Sequence, residues 1–216
     1  MFGSFAFPRT PRRLLPLGLF CALAVVIIPA ASAQAKPLIE TDACDSATLT
    51  QPFLSFGDSR VYKLVPGGDF EGSLSGWTLT HGATQAAGSE PFGASGVVGK
   101  SSLTLSAGAS AQSPYTCVDA AYPTFRLFGR NNGLLSTVAV SIVYREPLLG
   151  ATTVPVGTIL LSGSWAPSAT MFTLAAAQGA VNALLTGQTP QVALRFTALT
   201  GSSQIDDVYI DPHMAG

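Results

Sequence analysis

Charged residues are scarce in this sequence. Asp, Glu, Lys and Arg make up 11% of its 216 residues, and the formal net charge is −1. Binding to nucleic acid needs a basic surface that faces the phosphates, so this composition argues against nucleic acid as a partner.

Histidine is scarce too. His81 and His213 are the two in the chain, and neither has a metal-ligand spacing such as HExxH. With no Gly-x-Ser-x-Gly motif either, the sequence predicts no enzyme and no catalytic residue.

Long apolar runs are missing except near the N-terminus. There, an apolar run of about 15 residues, Leu14 to Ile28, follows arginines 9, 12 and 13 and precedes Ala31-Ser32-Ala33, whereas a membrane span needs roughly 20. This order predicts a cleavable signal peptide over residues 1–33. The expected product is a secreted, extracellular protein that starts at Gln34 and has no stable membrane anchor. It would keep eight Lys and Arg against twelve Asp and Glu.

Cysteine is rare, and its placement is informative. Of the three cysteines, Cys21 lies in the predicted leader, so Cys44 and Cys117 remain. Two cysteines in an oxidising compartment predict a disulfide, which the chain-entropy model values at roughly 4 kcal/mol for a loop of this length. The bridge would tie a lead-in segment, residues 34–60, to the main domain, residues 61–216.

Short β-prone runs separated by Gly, Pro, Asn and Ser fill the predicted domain. Several of these runs alternate apolar and polar residues with period two, which is typical of strands with one face on a core. Seven or more such strands predict an all-β fold, a β-sandwich of the jelly-roll kind. The segment Leu174 to Leu185 competes as at most a short helix. The predicted strands are Ser102–Leu105, Thr124–Phe128, Thr137–Arg145, Val154–Leu161, Met171–Ala175, Gln191–Ala198 and Gln204–Ile210.

Strand periodicity also predicts which side chains point away from the core. Two interpretations of the outer residues remain open. They form either a solvated surface whose ion pairs contribute little, or a face that binds an anionic or hydroxylated ligand through arginine forks and aromatic rings. Tyr115, Tyr122 and Trp165 lie nearer the loops and would rim such a site. The predicted ligand-binding residues are Arg126, Phe128, Arg145, Arg195 and Tyr209.

Two motifs lie at opposite ends of the domain. The first is Pro66-Gly67-Gly68-Asp69-Phe70-Glu71-Gly72, soon followed by Gly76-Trp77, and the second is Ile205-Asp206-Asp207-Val208-Tyr209-Ile210-Asp211. In this order they resemble the galactose-binding-like jelly roll, a superfamily that includes many carbohydrate-binding modules of secreted glycoside hydrolases. The whole layout also resembles a group of exported actinobacterial proteins. Phe70 and Trp77 are expected in the core.

The same resemblance bears on Asp206, which shares a strand face with apolar residues. A buried carboxylate needs a partner, and two are possible. Backbone N–H groups at a strand end would serve, or a structural calcium of the kind that many resembling modules hold between their first and last strands. Calcium prefers six to eight oxygen ligands, and the predicted metal-binding carboxylates are Glu71 and Asp206.

The expected function is therefore a secreted, non-catalytic binding module whose partner is a polysaccharide or another glycan. The alternative is a structural or surface-associated exported protein of the same fold without affinity for sugar. Fold alone does not decide between them.

Overall fold

The computed structural model describes residues 48–118, 124–133, 135–146, 150–172 and 191–211. One short 3-10 helix, η1 (Leu54–Phe56), precedes thirteen strands in this described part. The strands are β1 (Lys63–Leu64), β2 (Thr78–Thr80), β3 (Thr84–Ala87), β4 (Ser101–Ser106), β5 (Ser110–Gln112), β6 (Thr116–Cys117), β7 (Thr124–Asn131), β8 (Ser136–Glu146), β9 (Gly150–Leu161), β10 (Ala166–Pro167), β11 (Met171–Phe172), β12 (Gln191–Thr200) and β13 (Ser202–Asp211).

Within the described residues the strands pair into two antiparallel sheets. The seven-stranded sheet has the order β10-β7-β13-β4-β3, with β1 also paired to β13 and β11 to β7. The six-stranded sheet has the order β2-β5-β12-β8-β9, with β6 also paired to β12. The prediction of an all-β sandwich is confirmed. Every strand predicted from periodicity has a counterpart, although the end of Met171–Ala175 lies outside the described residues, as does the competing helical segment 174–185.

The main core lies between the two sheets and follows the period-two pattern. On β8, Val138, Val140, Ile142 and Tyr144 all point into it, each at most 3% exposed. On β12, Val192, Leu194 and Phe196 do the same. At roughly 25 cal/mol per Å² of apolar surface removed from water, burial of such a set is the main favourable term in folding.

The motif around Gly68 forms a turn and not a strand. Phe70 has φ of 53°, a left-handed conformation that a strand does not contain. The turn is nonetheless bonded to the last strand, because Val65 N donates to Val208 O at 2.9 Å and Val208 N donates to Gly68 O at 3.0 Å. Phe70 and Trp77 pack together in the core, as expected, with ring centroids 5.0 Å apart.

A second, smaller cluster covers the outer face of the seven-stranded sheet. Its buried members are four aromatic residues, which we call the aromatic cluster: Phe53, Tyr62, Phe128 and Tyr209. Phe53 has no exposed surface, and its ring stacks on Phe128 at 5.2 Å. Residues 50–62, joined at Thr50 and Tyr62 by an antiparallel bridge, therefore cover the outer face of β7 and β13, whose inner face packs in the main core.

None of the helices in the described part of the chain has the length and apolar character needed to cross a bilayer.

Candidate functional site

The outer face of the six-stranded sheet carries an arginine at its centre. Arg195 lies in the middle of β12, between Gln112 on β5 and Ser141 on β8. Its Nε and Nη2 both donate to Gln112 Oε1, at 3.1 and 2.7 Å, and its Nη1 donates to Thr153 Oγ1 at 3.5 Å. An arginine has five N–H donors in a rigid fork. Hydrogen bonds to β5 and to β9 therefore fix the orientation of this guanidinium group.

Hydroxyl groups continue this polar row along the sheet. Thr197 is the next outward residue of β12, and its Oγ1 donates to Ser110 Oγ at 3.1 Å. On the edge strand β2, Thr80 Oγ1 donates to Ser110 O at 3.3 Å. The row thus offers amide, hydroxyl and guanidinium groups side by side, a set able both to donate and to accept hydrogen bonds.

A second arginine lies farther along the same face, beside an aromatic ring. The guanidinium carbon of Arg145, near the end of β8, is 4.4 Å from the ring centroid of Tyr115. Arg145 is exposed and Tyr115 is half-buried, so both are accessible to a ligand. Four positions separate Arg145 from Ser141, about 13 Å along a strand. Val143 and Ala193, which form the row between the two arginines, are buried.

We name this surface the arginine face and define it by Arg195 with its polar neighbours and by the Arg145–Tyr115 pair. Sequence periodicity found both arginines. Gln112 was missed because β5 is only three residues long, too short for a period to show. The outward-facing members are Ser110, Gln112, Tyr115, Arg145, Thr153, Arg195 and Thr197.

The other three predicted ligand-binding residues lie on the opposite sheet, and the prediction that they share this face is wrong. Arg126 and Phe128 are on β7 and Tyr209 is on β13, and they are 8%, 0% and 2% exposed. Their side chains do point away from the main core, as periodicity indicated. They are buried because residues 50–62 and the loop around Ala94 cover them, a tertiary contact that strand periodicity does not encode.

Arg126 has a structural role in holding this cover. Its Nη1 donates to Asp58 Oδ2 at 2.9 Å, while Nε and Nη2 donate to Ser168 O at 2.9 and 2.8 Å. The guanidinium carbon also lies 4.4 Å from the ring centroid of Phe53. Burial by itself raises the pKa of Asp58, but hydrogen bonds from Tyr62, Arg60 N and Arg126 outweigh it and lower the pKa.

The remaining aromatic candidates are divided among three places. Tyr115 belongs to the arginine face. Trp165 packs against the aromatic cluster and lies 5.1 Å under the guanidinium group of Arg130, on the seven-stranded sheet. Tyr122 lies outside the described residues. On that same sheet Phe56 and Phe92 are partly exposed, 36% and 48%, but they meet edge to face at 85° and present no common flat surface.

The predicted calcium ligands are corrected, because protein donors already engage both carboxylates. Asp206 has no exposed surface, and it accepts hydrogen bonds from Ser89 Oγ at 2.6 Å, Glu90 N at 2.9 Å and Asp207 N at 2.9 Å. Glu71 Oε1 accepts from Lys100 N and Ser101 N, both at 2.7 Å. Among the described residues, no group of three or more His, Cys, Asp or Glu is arranged to hold a metal ion.

Asp206 and Asp207 form a buried acidic pair instead, and Glu90 lies beside them. A β-bulge between Asp206 and Tyr209 inserts an extra residue into β13, and Asp207 takes a φ of 46° there. Burial and the nearby carboxylates of Asp206 and Glu90 raise the pKa of Asp207, which shares a hydrogen bond with Glu90. Burial raises the pKa of Asp206 to about 6. A proton on Asp207, favoured by its raised pKa, would relieve the repulsion that a cation would otherwise relieve.

Cys117 lies on β6, where it pairs with Gln191 of β12. Cys44 and the predicted leader, residues 1–33, lie outside the described residues. The disulfide and the signal peptide therefore stay predictions.

Among solved structures, several carbohydrate-binding modules are similar to this chain. One comprises the CBM22-1 and GH10 modules of Clostridium thermocellum endo-1,4-beta-D-xylanase 10B in complex with xylohexaose. It has a TM-score of 0.47 at 16% identity, covering 69% of this chain and 28% of that chain. The CBM22-1 xylan-binding domain of Paenibacillus barcinonensis Xyn10C has a TM-score of 0.46 at 12% identity, covering 69% and 94%.

A third similar structure, TmCBM61 in complex with β-1,4-galactotriose, has a TM-score of 0.39 at 12% identity and covers 69% of this chain and 98% of that one. These likenesses, at 12 to 16% identity, concern the fold alone. Fold does not carry function. No family model matches the chain, and the search of curated proteins found no significant match.

Proposed function

We propose that this protein is an exported, non-catalytic module that binds a glycan on the arginine face. The observation that carries the proposal is the fixed network of Arg195, Gln112 and Thr153 on the same outer sheet face as the Arg145–Tyr115 pair. Sugar hydroxyl groups both donate and accept hydrogen bonds, and the row supplies partners for both. A half-buried tyrosine adds a flat apolar ring with a polar end, which suits a ligand that is apolar on one side.

Preorganisation supports a binding role for this row. A flexible arginine loses side-chain entropy when it meets a ligand, which costs roughly 0.5–1.5 kcal/mol for a side chain of this kind. Gln112 and Thr153 already hold the guanidinium group of Arg195. Most of that entropy is therefore lost on folding, and the ligand meets a group that is already oriented.

Export belongs to the same proposal. An arginine-led apolar run over residues 14–28 and the motif Ala31-Ser32-Ala33 support a signal peptide. The pair Cys44 and Cys117 supports an oxidising compartment.

The disulfide has a direct test. Unfolded protein from the periplasm or culture medium should show no reaction of Cys44 or Cys117 with a thiol reagent until a reductant is added. A peptide map under non-reducing conditions should then contain the two cysteines in one cross-linked fragment. Two reactive thiols in oxidised, freshly purified protein would contradict the pairing.

Glycan binding is tested by affinity electrophoresis and calorimetry over a panel of soluble polysaccharides, with Tyr115→Ala as the variant. Loss of the ring should lower affinity roughly tenfold, since a stacking contact is worth about 1 kcal/mol or more. Phe172→Ala is the matched control, because Phe172 is 59% exposed on β11 of the opposite sheet and should leave binding unchanged. A folded protein that binds no polysaccharide of the panel would favour the alternative, a structural exported protein without sugar affinity.

A further inference from the structure

We propose that the ligand of the arginine face is an acidic polysaccharide, a chain that carries carboxylate or sulfate groups. This inference rests on the proposed function and specifies the class of ligand for the same site.

The first support is that two N–H groups of Arg195 have no hydrogen-bond partner among the described residues. Of its five N–H donors, three are engaged by Gln112 and Thr153. The other two have no partner among the described residues. Both engaged partners are neutral, so they orient the guanidinium group without compensating its charge. An anionic oxygen brought to the remaining N–H groups would form charge-assisted hydrogen bonds, about twice as strong as neutral ones.

Arg145 gives the second support. Its guanidinium group is exposed and rests on the ring of Tyr115, a contact that holds its plane in place. Among the described side chains, no carboxylate lies within ion-pair distance of Arg145 or of Arg195. Two oriented cations, neither with a carboxylate partner among the described side chains, thus lie on one face of the sheet.

The distribution of acidic residues gives the third support for an acidic ligand. All carboxylates whose side chains are described lie on or beside the seven-stranded sheet, so the charges described on the arginine face are all positive. The described charges of the arginine face therefore favour an anion, even though the whole chain is slightly acidic. These carboxylates are Asp58, Asp69, Glu71, Glu90, Asp206, Asp207 and Asp211.

Charge complementarity distinguishes this ligand class from neutral glycans. Hydroxyl groups satisfy hydrogen-bond donors but leave both positive charges uncompensated when water is displaced, and that is unfavourable. A chain with acidic groups at intervals would satisfy the donors and the charges together. Arginine is also the side chain best matched to planar, bidentate recognition of carboxylate-like groups.

Matched pairs of polysaccharides test the inference. Dextran sulfate is compared with dextran, and de-esterified homogalacturonan with its methyl ester, so that only charge differs within each pair. We expect at least tenfold tighter binding of the charged member, weakening as salt screens the interaction. Binding of one charged polymer or both supports the inference, and which of them binds identifies sulfate or carboxylate as the source.

Three results would overturn it. Equal affinity for charged and neutral members would refute the acidic ligand while leaving the proposed function intact. Equal retention by poly-L-glutamate would show unspecific attraction of polyanions. No binding to any polysaccharide would refute both the inference and the proposed function.

Charge-neutralising variants locate the site. Arg195→Gln and Arg145→Gln should each weaken binding of the charged polymer about tenfold, the value of one charge-assisted hydrogen bond. Lys100→Gln is the control, since it removes the same charge from an exposed position at the start of the opposite sheet's β4. An equal loss of affinity in Lys100→Gln would mean that net charge alone governs binding. It would contradict the assignment of the binding site to the arginine face. Arg145 is exposed, so its variant keeps the test valid if Arg195→Gln unfolds.

Discussion

Phe53→Ala should lower the free energy of unfolding by about 4 kcal/mol, within the range measured for buried aromatic-to-alanine changes. The ring has no exposed surface and contacts Tyr62, Phe128 and Tyr209 at centroid distances of 5.1, 5.2 and 5.7 Å. Its loss removes those contacts, a guanidinium–ring contact with Arg126, and the apolar plug beneath the covering segment.

Leu54→Ala is the matched control for Phe53→Ala. Leu54 is the next residue of the same segment but is 54% exposed, so its truncation should change stability by less than about 0.5 kcal/mol. Urea unfolding of both variants measures the difference, and the heat-induced midpoint of Phe53→Ala should fall by roughly 10 °C. If the free energy of unfolding of Phe53→Ala lay within about 1 kcal/mol of that of the unaltered protein, the segment would not be part of the cooperative fold.

Stability should also fall as pH rises from about 4 towards 8, and the acidic pair is the reason. Burial raises the pKa of Asp206 to about 6 from an ordinary 3.8 and raises that of Asp207 as well. A carboxyl group with a raised pKa in the folded state binds its proton more tightly there than in the unfolded chain. Above pH 4 the folded state thus holds more protons, so stability declines with pH until the folded groups have ionised. For Asp206 alone the loss is on the order of 3 kcal/mol.

Asp207→Asn should remove much of this dependence and stabilise the protein at pH 8. The amide keeps the shape of the side chain and can donate to Glu90, but it carries no charge to repel Asp206. Asp69→Asn is the control, because Asp69 contributes the last of the effects on Asp207 and should alter the slope only weakly. The test is to measure the free energy of unfolding of both variants and of the unaltered protein from pH 4 to 8. A slope unchanged by Asp207→Asn would contradict this description of the pair.

A separate loss of stability is expected at the acid end. The lowered pKa of Asp58 means that its folded-state bonds to Arg126 and Tyr62 are fully present above the unfolded value near 3.8. They are lost as pH falls through the folded pKa. The two effects have opposite signs in separate pH windows, so a single titration of stability can resolve them.

Long strands could be predicted from the sequence because their periods are visible over many residues. β8 and β12 alternate core and outer residues over eleven and ten positions, and both arginines of the arginine face were located by that alternation. The short strands β2, β5 and β6 have two or three residues each. No period can be recognised over such a length, so Gln112 and its contact with Arg195 were not predicted.

Two other features depend on contacts that are distant in sequence. Period two assigned Arg126, Phe128 and Tyr209 to an outer face, but whether an outer face meets water depends on what packs upon it. Phe53, more than seventy residues away, buries Phe128. The β-bulge at Asp206 likewise changes the alternation within β13, and a carboxylate there meets Ser89 and Glu90 instead of a cation.

Amide chemical-shift mapping with an acidic oligosaccharide is the most direct test of glycan binding on the arginine face. Binding there should perturb residues 110–115, 141–145, 153 and 195–197 and leave residues 53–62 and 92–94 of the opposite sheet unchanged. Perturbations centred on Phe56 and Phe92, or none at saturating ligand with the protein folded, would contradict it.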